Sequence, residues 1–315
     1  MNVSYSDALR RAWHRMQAML FRPFRLELWL VTGLSAFLAR LLREQGSFAW
    51  NFRHPLRAAE PWSASGPALD GLRDRLADWL ANPAILALIA AGLVIVAAVA
   101  LVLAYVGARA EFVYLDNVVR SRGEFLAPWH RSGRLGRSLF LWRAGFSFAW
   151  LLPLAIVGVP LAGTVQALFS GGGLQVPSFL ALLPAMVVAG AVALVLAFLL
   201  LVMDEFVVPV MWLNDESAMA AWGRFWPLFT SHLGDFVAYA FFVLVLALVA
   251  AMAVLVAGFA TCCVGFAILF VPYVGTVAIL PLHVTARALG PEFLAQYGPE
   301  WNVFAKPESP VTPVT

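Results

Sequence analysis

Three long stretches of the chain contain no Asp, Glu, Lys or Arg: 26 residues at 83–108, 60 at 144–203 and 51 at 236–286. Within them Leu, Ala, Val and Phe follow one another with neither the alternation of a half-exposed strand nor the polar stripe of a surface helix. A helix needs roughly 20 apolar residues to cross the hydrocarbon core, so the two longer stretches each accommodate two crossings. Lipid offers the backbone no hydrogen-bond partner, which leaves helices or a closed barrel. Barrel strands alternate apolar and polar residues; these continuous runs select helices. The pattern predicts six spans, near 28–46, 83–108, 144–168, 179–203, 236–259 and 266–286. The predicted fold class is an all-α, polytopic transmembrane bundle of about six helices in a single membrane domain, residues 1–315. Arg40 and Arg43, late in the first span, are expected to snorkel to the interface. Gly171, Gly172, Gly173 and Pro177 mark the turn between spans three and four, and residues 261–265 that between five and six. Pro272 and Pro281 are expected to bend the last span.

The segments between these stretches repeat. Trp13-His14-Arg15, Trp129-His130-Arg131 and Trp222-Gly223-Arg224 each precede an odd-numbered span, and Leu20-Phe21, Leu139-Phe140 and Leu228-Phe229 follow them. Glu111-Phe112-Val113, Glu205-Phe206-Val207 and Glu292-Phe293-Leu294 each follow an even-numbered one. The simplest unit is an interfacial helix, two crossings and a Glu-Phe mark. Three parallel copies, approximately 1–112, 113–206 and 207–294 with a tail at 295–315, make the chain.

Charge sets the expected orientation. With the N-terminus inside, the inner segments hold 15 of the 21 basic residues and the outer ones 6. Basic residues favour cytoplasmic loops, so both termini are expected in the cytoplasm. A net charge of +3 gives no reason to expect a nucleic-acid partner. Only 12% of the residues are charged, against about a quarter in soluble domains.

In the first interfacial helix, Leu9, Trp13, Met16 and Leu20 share one face by 3.6-residue spacing. Arg10, Arg11 and Arg15, with Trp129, Arg131, Trp222 and Arg224 in the later copies, are expected to anchor the protein at anionic headgroups of the cytoplasmic face. Leu69, Leu72, Leu76, Trp79 and Leu80 make a second apolar stripe over 67–80, expected on the outer face.

Signals for chemistry are sparse. The only Lys, Lys306, lies in the tail, which excludes a phosphate-binding loop. Cys262 and Cys263 are adjacent, without metal-ligand spacing. Ser147 and His283 fall at similar depths in spans three and six, a possible nucleophile and base; a hydroxyl satisfied by its own helix is the simpler expectation. Glu111, Asp116, Asp204 and Glu205 fall at the predicted ends of spans two and four, where water or Arg can pair with them.

Trp-x-Arg before the spans, Phe21-Arg22-Pro23-Phe24 and Leu115-Asp116-Asn117-Val118-Val119 resemble uncharacterised six-helix bacterial membrane proteins. These are similar to the membrane domain attached to some glycerophosphodiester phosphodiesterases. The resemblance implies a bacterial inner-membrane location and carries over no catalytic residue. The resulting expectation is a non-enzymatic membrane protein without a cofactor, a scaffold or partner subunit or a lipid-interacting protein. Membrane lipids are its expected partners, with another membrane protein as a further candidate. A transporter of a lipidic or apolar small molecule is the alternative, and an intramembrane hydrolase using Ser147 and His283 the third reading.

Overall fold

The computed structural model describes residues 3–40, 82–169, 176–261 and 264–305. The 67–80 stripe, Arg43, Gly171 to Gly173, Cys262, Cys263 and Lys306 lie outside them. Every regular element among the described residues is helical. Helix α1 (Tyr5–Leu20) starts where the Ser4 hydroxyl accepts the Asp7 N–H at 3.2 Å, an N-cap. Helix α2 spans Leu26–Arg40. Helix α3 (Pro83–Arg120) begins on an Asn82 cap with Pro83 in its first turn and ends at Ser121 in the left-handed region. Its 38 residues reach about 57 Å at the usual helical rise, nearly twice the thickness of a hydrocarbon core.

Helices α4 (Leu126–Arg131) and α5 (Gly133–Ser147) follow. Helix α5 runs through a short 3₁₀ turn into α6 (Leu151–Phe169). Helix α7 (Val176–Val202) passes through a π turn (Met203–Val207) into α8 (Val208–Asn214). Then come α9 (Ala218–Ser231), α10 (Leu233–Ala260), α11 (Val264–Phe270), α12 (Val274–Ala278) and α13 (Leu280–Leu294). Four stretches are long and apolar enough to cross a membrane: Pro83–Arg120, Gly133–Thr164, Leu182–Asn214 and Leu233–Ala260.

Each of these stretches is most buried at one end and largely exposed elsewhere. In α3, Ala110, Val113 and Leu115 are fully buried, whereas Leu93, Val94, Ile95 and Val96 are all more than 60% exposed. The stretch through α7 is buried from Val202 to Met211, that through α5 at Leu135 and Leu139, and α10 at Phe236 and Tyr239. These buried ends converge in one core with α1, α9 and α13. Large apolar side chains left outside such a core require an apolar surrounding, and helices apolar on all sides obtain it in lipid. The molecule therefore has a packed base and a set of apolar shafts rising from it.

Phenylalanine organises the base. Phe206 packs against Phe236 at 5.0 Å, Tyr239 at 4.9 Å and both Phe225 and Phe293 at 5.8 Å between ring centroids. Such pairs add about 0.5–1.5 kcal/mol each beyond area burial. Close helix crossings complete it. A Cβ on Gly136 of α5 would stand 2.8 Å from the Arg109 Cα of α3, so this crossing admits only glycine.

One expectation requires correction. Residues 266–286 are not one continuous bent helix: they lie in α11, α12 and α13. Pro272 and Pro281 have no N–H for the carbonyls four residues back, and Tyr273 between the first two pieces takes a positive φ of 65°. The buried face of α1 is Ala8, Ala12, Met16, Met19 and Leu20, while Trp13 of the apolar stripe is 43% exposed. Small Ala8 and Ala12 let α1 approach α13, which it packs against along much of its length.

Candidate functional site

Six charged residues meet where α2, α3, α5, the π turn and α13 come together. Arg143 of α5 pairs with Glu111 of α3 at 3.3 Å and more closely with Asp204 of the π turn. Arg287 of α13 pairs with Glu111 at 3.0 Å, and the same Nη1 donates to the Asp204 carbonyl at 3.0 Å. Glu205 accepts a hydrogen bond from the Tyr239 hydroxyl of α10 at 3.2 Å. Arg40 of α2 and Tyr114 of α3 join Glu111, Asp204, Glu205 and Arg287 in lining a cavity of about 50 Å³. Glu111, Asp204 and Arg287 are each no more than 6% exposed. Three guanidinium groups thus face three carboxylates. That balance is what low dielectric demands, since a buried charge without its partner costs several kcal/mol.

The π turn builds this site, and its cause lies in the sequence. Pro209 has no N–H for the carbonyl of Glu205, and its ring crowds that carbonyl. The helix widens at Met203–Val207 instead of continuing in α register. Widening turns Asp204 toward Arg143 and leaves its carbonyl for Arg287. On the other side, Gly290 of α13 has no side chain to keep it from the Glu205 backbone.

The same logic recurs at the third Glu-Phe mark. Glu292, 4% exposed, accepts from Arg15 Nη2 at 2.8 Å and from Arg11 Nε at 3.0 Å. Arg15 also lies over the Phe304 ring at 3.5 Å. At all three marks the Phe is buried to 1% exposure or less. Adjacent helical residues diverge by about 100°, so Phe enters the hydrophobic core while Glu turns to a basic or hydroxyl partner.

The acids expected at helix ends are placed differently. Glu111 lies well inside α3, and Asp204 and Glu205 lie within a continuous helical stretch. Asp116 pairs with Arg120 at 3.0 Å and accepts the Trp212 indole N–H at 3.2 Å. Asn117 accepts the Glu124 N–H at 3.1 Å and holds the turn after α3. Arg40, expected to snorkel, lines the internal cavity instead.

The eight expected anchors divide. Arg10 is exposed and pairs with Asp7 at 2.8 Å, and Arg131 is exposed. Arg11 and Arg15 both reach Glu292, Arg11 remaining exposed and Arg15 half-buried. Trp129 lies under the Arg109 guanidinium at 4.4 Å. Trp222 stacks near Trp142 at 6.2 Å, and Arg224 pairs with Glu216. Ser147 is exposed, its hydroxyl donating to Ala144 O at 2.6 Å, while His283 is 7% exposed in α13. No hydrogen bond joins that pair among the described residues. Nor does any group of three His, Cys, Asp or Glu among them stand ready to hold a metal.

An all-helical protein, with membrane-length apolar helices converging on one internal ion network, is the class that this fold and site define. The chain belongs to DUF7544, a family of unknown function, which it matches over residues 3–296. No curated protein and no solved structure matches it. Nothing in these comparisons links it to the membrane domains of glycerophosphodiester phosphodiesterases, which the short motifs resemble.

Proposed function

We propose that the protein is a non-enzymatic integral protein of the bacterial inner membrane, a scaffold or partner subunit whose shafts are solvated by lipid. One observation carries this reading: the apolar halves of the four long helices are largely open, while the buried carboxylates Glu111 and Asp204 are held by Arg143 and Arg287 inside the base. A cavity of about 50 Å³ is far below the roughly 300 Å³ at which small-molecule pockets begin. Exposed Arg10 and Arg131 remain available for anionic headgroups.

The burial pattern supports a six-pass arrangement in three parallel units. Along the chain, α3, the α5–α6 stretch, the α7–α8 stretch and α10 reach the base alternately with their last and first residues. The basic-residue count then favours a cytoplasmic base and cytoplasmic termini. A lipid transporter is the second reading, because open shafts leave room for acyl chains between them. Ser147, committed to its own helix, gives little support to a hydrolase.

The test is reconstitution into liposomes of defined phospholipids, some carrying photoactivatable acyl chains. Crosslinks should fall on residues 84–102 of α3 and 241–259 of α10, with no release of fatty acid and no added translocation of a fluorescent phospholipid. Protein-dependent hydrolysis or translocation of lipid would overturn the non-enzymatic scaffold reading.

A further inference from the structure

Among the described residues, two side chains of the ion network keep buried polar atoms without an acceptor. Arg287 is 6% exposed; its Nη1 is bonded, but Nε and Nη2 meet no acceptor among the described residues. The hydroxyl of Tyr114, 2% exposed, is likewise without one. A buried donor left unmade costs about 1–3 kcal/mol, more for a charged group, and native structures rarely tolerate it. Both residues line the cavity between α2, α3, the π turn and α13. What the open groups require is an acceptor small enough for that space.

We propose that this cavity is a binding site for water, holding a cluster that bridges Arg287 and Tyr114 to the neighbouring carboxylates. A volume of about 50 Å³ has room for about three water molecules. Charge selects a neutral ligand. Among the described residues, the groups that face the site are Arg40 from α2, Glu111 and Tyr114 from α3, Arg143 from α5, Asp204 and Glu205 from the π turn, Tyr239 from α10 and Arg287 from α13, and their three positive and three negative charges cancel. An added anion would leave a net negative charge beside three carboxylates, and an added cation would meet the N–H groups of Arg287. Water avoids both conflicts. It accepts from Arg287 and Tyr114 and gives its own hydrogens to carboxylate lone pairs. The cluster therefore adds a water-mediated contact between α3 and α13 beside the direct Arg287–Glu111 pair.

Hydroxyl-radical labelling by X-ray radiolysis tests the site, because bound water generates radicals beside side chains that bulk solvent does not reach. The full chain in detergent is used. After correction for intrinsic reactivity, Tyr114 should be modified roughly tenfold faster than Phe225 and Phe236, which are as deeply buried but do not line the cavity. Filling the space with Ala286→Leu, or with the smaller Ala39→Val, should bring Tyr114 down to the rate of those phenylalanines and leave Tyr5 unchanged. Replacing chloride by gluconate should alter nothing. Slow labelling of Tyr114 in the unmodified protein overturns the proposal whether or not the filled variants fold. Persistence of fast labelling in a folded filled variant overturns it as well, and dependence on chloride would show an ion in place of water.

Discussion

Gly290 lies directly against Glu205: a Cβ at Gly290 would stand 2.5 Å from the Glu205 carbonyl oxygen, a backbone atom that cannot swing aside. Gly290→Ala must therefore push α13 off the π turn, an overpacking that costs about 1–3 kcal/mol. Gly223 in α9 has nothing within 4 Å of its added Cβ. Gly223→Ala should stabilise by about 0.5–1 kcal/mol through helix propensity alone. Unfolding in detergent followed by Trp fluorescence should show opposite signs for the two changes. Equal effects would mean that the α13 crossing is not the tight contact described.

Arg287→Met should be far more damaging than Arg134→Met. Arg287 serves a buried carboxylate, and its loss leaves Glu111 undercompensated, at a cost of about 3–5 kcal/mol. Arg134 pairs with Asp215 on the surface, both side chains about two-thirds exposed; such pairs contribute about 0–1 kcal/mol. Replacing Glu111 by Gln in the Arg287→Met background should recover part of the loss. A double-mutant cycle without coupling between positions 111 and 287 would contradict the ion pair.

The contacts of Arg11 and Arg15 with Glu292 tie α1 to α13 within the protein. Glu292→Gln should expose the α1 segment to limited proteolysis to a similar degree in neutral and in anionic vesicles. If anionic lipid alone restores protection, headgroup anchoring outweighs the contact with α13.

Alkaline stability should depend on Tyr297. Burial first, then the Asp235 carboxylate that accepts its hydroxyl at 3.1 Å, hold this phenol above its ordinary value of 10.0. The folded state thus favours the protonated form. Its contribution is complete below the unfolded value near pH 10 and is lost as pH rises through the higher folded one. Tyr297→Phe should lower stability by about 1 kcal/mol at neutral pH, and this deficit should shrink above pH 10. A deficit that stays constant up to pH 11.5, or grows, would contradict the raised phenol.

The helices and their apolar character were legible because lipid-facing segments need only one property along their whole length. The Glu-Phe pairs at 111–112, 205–206 and 292–293 were visible too, and the Phe of each is buried. The partners of those acids were not: Arg143 is 32 positions from Glu111 and 61 from Asp204, and packing alone decides such meetings. The widened turn did leave a trace, in Pro209 four residues after Glu205. The buried face of α1 was not legible, because Ala8 and Ala12 bury deeply while carrying almost no hydrophobic signal. Arg40 was misjudged because its distance from a span end said nothing of the cavity beside it.

Among the described residues the buried ion pairs lie in the base, and this placement divides biogenesis into separable events. An apolar shaft such as the first half of α3 exposes no group that must wait for a partner, so each can enter lipid alone. The base closes only when α13, last in order, delivers Arg287 and Glu292 to acceptors and donors made far earlier. A chain ended after Asn214 should integrate fully into membranes, resisting alkaline extraction, yet remain protease-sensitive around Glu111. Failure to integrate would show that late contacts are needed for entry itself. In the arrangement seen here the final helix acts as the latch of a structure whose other parts are already in place.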